Sequence, residues 1–183
     1  MIGRRPFLLG SVAAAGGAAL PSAWRRASAA AAAAPERWIW ARNHAGEEVA
    51  TAYRSGEAYH PQAVARLRHL FRDLREEVQG PLPPLLVDIL SVLQERWGYT
   101  RPLLVGSGYR TLKTNSSLEG AAPASFHLRG WAADISVRGI QPGDLGLAVW
   151  TLSQRFGFMG VGLYPGFVHV DVGPRRAWTR FAS

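Results

Sequence analysis

Cysteine is absent from the 183 residues. That excludes disulfides, a cysteine nucleophile, a thiolate-bound zinc site and a lipidated N-terminal cysteine; it is compatible with an oxidising compartment without demonstrating one. Long apolar runs are missing too. The nearest, from about Phe7 to Ala23, sits at the short limit for spanning a bilayer and is diluted by glycine and proline. No internal repeat is present, and the only low-complexity piece is the alanine run Ala29–Ala34.

What the N-terminus does have is Arg4 and Arg5 ahead of a weakly apolar, Ala- and Gly-rich stretch, then Ala27-Ser28-Ala29. A charged start, an apolar middle and a small-x-small end describe a secretory signal cleaved near Ala29. RRPFLL is similar to a twin-arginine signal, which exports a protein already folded. The expected division is residues 1–29 as export signal, 30–36 as linker and 37–183 as one domain, long enough for a proper core. The first 29 residues carry four arginines and no acid, so their removal lowers the net charge from +8 to +4. That is no nucleic-acid footprint, and it suits work near an anionic polymer such as a cell wall.

Arg37 to Arg42 and Glu48 to Tyr53 read as a hairpin turning at Asn43–Gly46. His60-Pro61 opens a helix whose Val64, Leu67, Leu70, Phe71, Leu74 and Val78 recur at helical spacing up to Gly80-Pro81. A second helix starts near Pro83-Pro84, with Leu86, Ile89, Leu90, Leu93 and Trp97 on its apolar face and Gly98 as its cap. Pro102 to Val105 is a buried strand, and Thr111 to Ala124 a polar loop with room for one helical turn. Ala132 to Val137 is a strand, Pro142 to Phe156 a helix closed by Gly157, and Gly160–Tyr164 with Phe167–Val172 a hairpin around Pro165-Gly166. Helices first and strands later favour an α+β fold over a βαβ series.

Two stretches carry the chemistry. SFHLRGWAAD, Ser125 to Asp134, and FVHVDVG, Phe167 to Gly173, each hold a histidine followed by an aspartate. On a strand, Val168, Val170 and Val172 face the core, so Phe167, His169 and Asp171 face a cleft or water. Asp134 projects from another strand between the small Ala132 and Ser136, and His127 stands at the mouth of the loop feeding that strand. If the strands are neighbours, His127, Asp134 and His169 converge. Two imidazoles and a carboxylate suit Zn²⁺, whose catalytic sites keep three protein ligands and one open position. Such zinc makes a water ionise near neutral pH and attack a carbonyl. Gly130 would let the chain turn between the first two ligands. A single histidine or aspartate on a strand is more often a satisfied surface residue; it is the two patches together that point to a site. Trp131 reads as packing, His44 as a turn residue, His60 as a helix start, and His69 as riding a helix beside polar neighbours.

The pattern S-x-H-x-x-G-x-A-x-D followed by H-x-D resembles the M15-type zinc peptidases, the D-alanyl-D-alanine carboxypeptidase and murein endopeptidase group. SGYRT, the loop holding Asn115 and Leu118, GVGLYPGFVHVDVG and the terminal Arg176-x-Trp178 are similar to its DUF882, or YcbK-like, branch, from about Trp38 to Trp178. The resemblance implies a small antiparallel sheet with flanking helices, the α+β domain shared with hedgehog signalling domains and DD-peptidases. It implies Zn²⁺ on His127, Asp134 and His169, and hydrolysis of amide bonds in peptidoglycan stem peptides or crosslinks. The N-terminal signal implies an exported, periplasmic protein that touches the membrane only during export; the modest net charge speaks against a nucleic-acid partner, and a monomer is expected.

Hydrolysis needs a base for the water's proton and an acid for the departing amine. Relatives in the wider group place a Glu or a second His shortly before the last ligand; here Tyr164 to Val168 hold neither. Asp171 is then a candidate base, or a residue that orients a histidine ring by accepting its N–H. Arg110, whose counterparts in the group face the active site, is expected to grip a substrate carboxylate or the oxyanion. Ser107, Ser125 and Tyr164 are expected to contact substrate. The short chain has no insertion to cap a cleft, which favours an endopeptidase over a D-Ala-D-Ala-type carboxypeptidase. A non-catalytic, zinc-containing wall-binding domain is the rival that keeps the fold. A facial-triad iron site needs a second histidine well downstream, and none follows His169.

Overall fold

In the computed structural model, which describes residues 34–180, strands β1 (Glu36–Asn43) and β2 (Glu48–Ser55) form the first hairpin. The expected export signal lies outside the described residues, as does most of the linker. Among the described residues, no helix is long and apolar enough to cross a membrane.

The two-residue strand β3 (Ala58–Tyr59) extends the sheet beyond β2, and α1 (Pro61–Leu70) follows. Apolar spacing predicts α1 out to Val78, but the helix stops at Leu70. Competing bonds explain the stop. Asp73 accepts the backbone N–H groups of Arg75 and Glu76 as well as the N–H and hydroxyl of Thr111, while the Phe71 carbonyl accepts the Tyr109 N–H. Local side-chain bonds of this kind outcompete helix continuation. The freed turn, residues 71–79, becomes a wall of the functional cleft.

Helix α2 (Pro84–Glu95), strand β4 (Leu103–Ser107), short helix α3 (Leu112–Ser117), a 3₁₀ turn (Phe126–Arg129), strand β5 (Ala132–Val137) and helix α4 (Pro142–Phe156) come next. Strands β6 (Phe158–Leu163), β7 (Val168–Pro174) and β8 (Arg176–Thr179) complete the chain. The fold is α+β, and the sheet is larger than expected: eight strands in the order β3-β2-β1-β4-β5-β7-β6-β8. Nor is it wholly antiparallel, since β1 with β4 and β6 with β8 run parallel.

One face of the sheet is core. Ile39, Leu103, Val105, Ala133, Ile135, Val168 and Val170 pack with Leu86 and Leu90 of α2 and with Leu145 and Val149 of α4. Strand alternation then turns Asp134, His169 and Asp171 to the other face. There β5 and β7 pair antiparallel with Asp134 directly opposite His169 and Ala132 opposite Asp171. The register alone therefore makes Asp134 and His169 neighbours.

Candidate metal centre

His127, Asp134 and His169 meet at one point and are buried. Asp134 Oδ1 lies 2.9 Å from His169 Nδ1 and 3.2 Å from His127 Nε2, and the two nitrogens are 3.1 Å apart. His127 arrives from the 3₁₀ turn, which Ser125 caps with its hydroxyl and Gly130 ends at φ 66°. A Cβ at Gly130 would fall 1.8 Å from the Pro81 carbonyl oxygen, so only glycine lets the turn seat here.

The outer partners fix which nitrogens face inward. His127 Nδ1 donates to the Gly108 carbonyl at 2.7 Å, while the Arg110 N–H donates back to the His127 carbonyl at 3.0 Å. His169 Nε2 donates to Asp171 Oδ2 at 3.0 Å. A neutral imidazole with one nitrogen donating presents a lone pair on the other. Three lone-pair atoms thus confront one another across a triangle with edges of 2.9 to 3.2 Å. One proton can relieve a single edge; a divalent cation relieves all three. Ligands about 2.0 Å from a tetrahedral zinc stand roughly 3.3 Å apart, so the donor set fits such an ion in kind and in size.

Burial works against the Asp134 carboxylate, yet the facing histidines hold it well below the usual carboxylate range. Burial pushes His127 down, towards the neutral ligand form. At His169 burial is overcome by its bonds to Asp134 and Asp171, and the ring is pushed up.

Arg110 sits against the far oxygen of Asp134, bonding Oδ2 through Nη2, and its Nε donates to Ser107 Oγ at 2.7 Å. Ser107 thus steadies Arg110, and Ser125 steadies the turn of His127 at 3.3 Å; each has a structural partner before any substrate arrives. The Tyr164 ring stacks on Phe167 at 4.4 Å, and its oxygen accepts the Trp178 indole N–H at 3.2 Å. The Trp178 ring lies 5.2 Å from that of His169, forming a lid over the ligand's edge.

Asp171 lies behind His169, fully buried, and lines neither cavity beside the triad. Both its oxygens are engaged: Oδ1 accepts from the N–H groups of Gly160 and Gly173 and from Arg176, and Oδ2 from His169 and Arg176. A β-bulge at Met159, φ 91°, brings the Gly160 N–H into reach. A Cβ at Gly160 would come 2.3 Å from Asp171 Oδ2. Burial opposes ionisation of Asp171, but His169 and Arg176 keep its pKa low. A base has to reach the reacting water; Asp171 instead faces His169, Arg176 and two backbone N–H groups.

Two cavities, of about 500 and 620 Å³, flank the triad and share Arg110, Leu118, Asp134 and Phe167. The cleft is therefore open on both sides of the centre. Sequence reasoning missed two contributors. The Gly108 carbonyl is backbone and leaves no residue signature. His44, expected only in a turn, lines the smaller cavity, because β1 and β4 pair in parallel and carry residue 44 alongside Gly106.

Residues 30–178 match the family model for peptidase M15_2, described as peptidoglycan L,D-endopeptidase MepK. The peptidoglycan L,D-endopeptidases MepK of Escherichia coli K12 and of Shigella flexneri are each 38% identical over 141 residues, 74% of this chain and 75% of theirs. The probable peptidoglycan L,D-endopeptidase MepK of Haemophilus influenzae is 29% identical over 140 residues, 73% of each chain.

Proposed function

The chain belongs to the peptidase M15_2 family and is a peptidoglycan endopeptidase; from that premise we propose that it is an exported, periplasmic zinc enzyme that cuts L,D-crosslinks. The L,D assignment rests on the names of its relatives. The zinc assignment rests on the triangle of inward lone pairs at His127, Asp134 and His169. The N-terminal arginine pair and small-residue end support export by the twin-arginine route.

Zinc held there would supply an acidified water and polarise a carbonyl. The protein's own groups do the rest. Asp171 holds the His169 ring in the tautomer that turns Nδ1 inward, and Gly108 does the same for His127 Nε2. Arg110 braces Asp134 and has further N–H donors at the junction of the two cavities, suited to a substrate carboxylate or a developing oxyanion. Tyr164, accepting from Trp178, keeps its own hydroxyl proton to donate to substrate. The cleft's two open sides favour cutting within a crosslink over trimming a chain end.

A base from the cavity wall is the alternative to Asp171. Among the described residues lining the larger cavity, Glu119 is the one carboxylate that is neither in the triad nor hydrogen-bonded to another residue. Loss of kcat with intact metal in Glu119→Gln supports that assignment; the same result in Asp171→Asn returns the role to Asp171.

The test is elemental analysis of purified protein, with digestion of L,D- and D,D-crosslinked muropeptide dimers. One zinc per chain and selective cutting of the L,D dimer are expected, both lost in His169→Ala. Zinc with no cutting of either dimer would favour a wall-binding role.

A further inference from the structure

The two arms of the cleft differ in chemistry. The larger carries the aromatic rings of Tyr164 and Trp178, with Phe167 shared between the two. The smaller, between the 71–79 turn and β4, carries cations and almost no available anion. Its acids are Asp73 and Asp134. Asp73 accepts four hydrogen bonds, and Asp134 serves Arg110 and the two histidines.

Arg75 stands apart in this arm. Its carboxylate neighbours on the turn are committed elsewhere: Asp73 as above, Glu76 to Lys113 at 2.9 Å, and Glu77 to Arg72 at 2.8 Å. Arg72 also holds Glu47, so its charge is neutralised. The one side-chain partner of Arg75 among the described residues is the Ser117 hydroxyl, at 3.4 Å, the weak limit of a hydrogen bond. An exposed guanidinium on a cavity wall, with every carboxylate of its own turn and of this cavity's lining taken, is a receptor for an anion brought from outside. Across the same arm, His44 packs against the bulged Gly106; a Cβ there would lie 3.6 Å from its Nε2. No described group hydrogen-bonds the His44 side chain, so it has a ring N–H to offer.

We propose that Arg75, assisted by His44, forms a carboxylate-binding subsite that seats the anionic arm of a crosslinked peptide while the other arm lies against Tyr164 and Trp178. Arg110, at the junction, is shared with the triad; Arg75 is not. The subsite rests on the endopeptidase function and would select crosslinks by their charge. The carboxylate comes from a side chain of the stem peptide or from its C-terminus.

Three probes separate these sources: an L,D-crosslinked muropeptide dimer with free carboxylates, the same dimer amidated at its side-chain carboxylates, and the dimer amidated at its C-terminus. Binding is followed by calorimetry on His169→Ala protein, and turnover on the wild type, each with and without Arg75→Ala. Loss of one charged, hydrogen-bonded contact is expected to raise Kd and KM for the free dimer about tenfold with kcat little changed. Arg75→Lys should recover part of that loss, and His44→Ala should raise KM by less than Arg75→Ala. The amidation that already weakens wild-type binding identifies the source, and on that probe Arg75→Ala should add little. Equal effects of Arg75→Ala on all three probes, or a fall in kcat alone, would overturn the subsite. Binding that shows the charge preference without any cutting would keep the subsite and overturn the endopeptidase function.

Discussion

The two histidine–aspartate pairs of this protein put their carboxylates to opposite uses. In the first, Asp134 faces the centre alongside His127; in the second, His169 faces it and Asp171 backs away. Both aspartates are buried, both touch His169, and both are paired with an arginine, Arg110 for one and Arg176 for the other. What separates them is the hydrogen-bond inventory. Asp171 meets two backbone N–H groups, a histidine N–H and an arginine fork. Asp134 keeps one oxygen turned towards two nitrogens whose protons are committed elsewhere. Asp171, whose neighbours are all donors, is a brace; Asp134, with one oxygen on Arg110 and the other turned to the two ring nitrogens, is suited to a cation.

The sharpest way to break the comparison is to remove the inner carboxylate. Asp134→Ala is expected to lose bound metal and to cut activity by about three orders of magnitude or more, read by elemental analysis and dimer hydrolysis. It should also leave Arg110 without its buried partner, lowering Tm. Asp171→Asn is expected to be milder: roughly 10–100-fold weaker metal affinity, with activity largely restored by added zinc. If excess zinc restores nothing although metal content is normal, Asp171 does more than orient His169. Gly160→Ala presses on Asp171 from the other side, and a loss of about 1–3 kcal/mol in stability is expected from chemical denaturation. On the opposite face of the same strand, Val170→Ala should cost roughly as much while leaving metal content and KM untouched. The smallest effect lies far from the centre. Glu47 is held at about 2, first by its hydrogen bond to Arg72. A lowered carboxylate pKa contributes stability above its unfolded value, near 4.5, that fades as pH falls towards 2. Glu47→Gln should therefore lose slightly in Tm at pH 6 and show a flatter decline between pH 4.5 and 2 than the wild type.

Much of this was legible in the chain. Alternation placed Val168 and Val170 in the core and so put His169 on the working face; the small residues flanking Asp134 made the same case for β5. Helix α4 and strand β5 fall on their expected boundaries because proline, glycine and period all agree there. Helix α1 did not, because the apolar spacing through Val78 says nothing of Asp73 bonding to a loop 38 residues away. Strand β8 also went unseen, as its parallel pairing with β6 has no local turn to announce it. In the site, residue types gave the triad; the division of labour between Asp134 and Asp171 had to wait for three dimensions, since H-x-D reads the same whether the aspartate points at the ion or away from it. Arg75 was hidden for a related reason: an arginine's lack of a partner is a property of its surroundings.

The triad has one more effect, on the chain as a polymer. His127 and His169 stand 42 residues apart, with α4 and two strand pairings between them. An ion gripped by both would close that long loop and shrink the freedom of the unfolded chain, the more so for a loop of this length. In a protein with no cysteine, an ion held there would do for the unfolded chain what a disulfide does elsewhere.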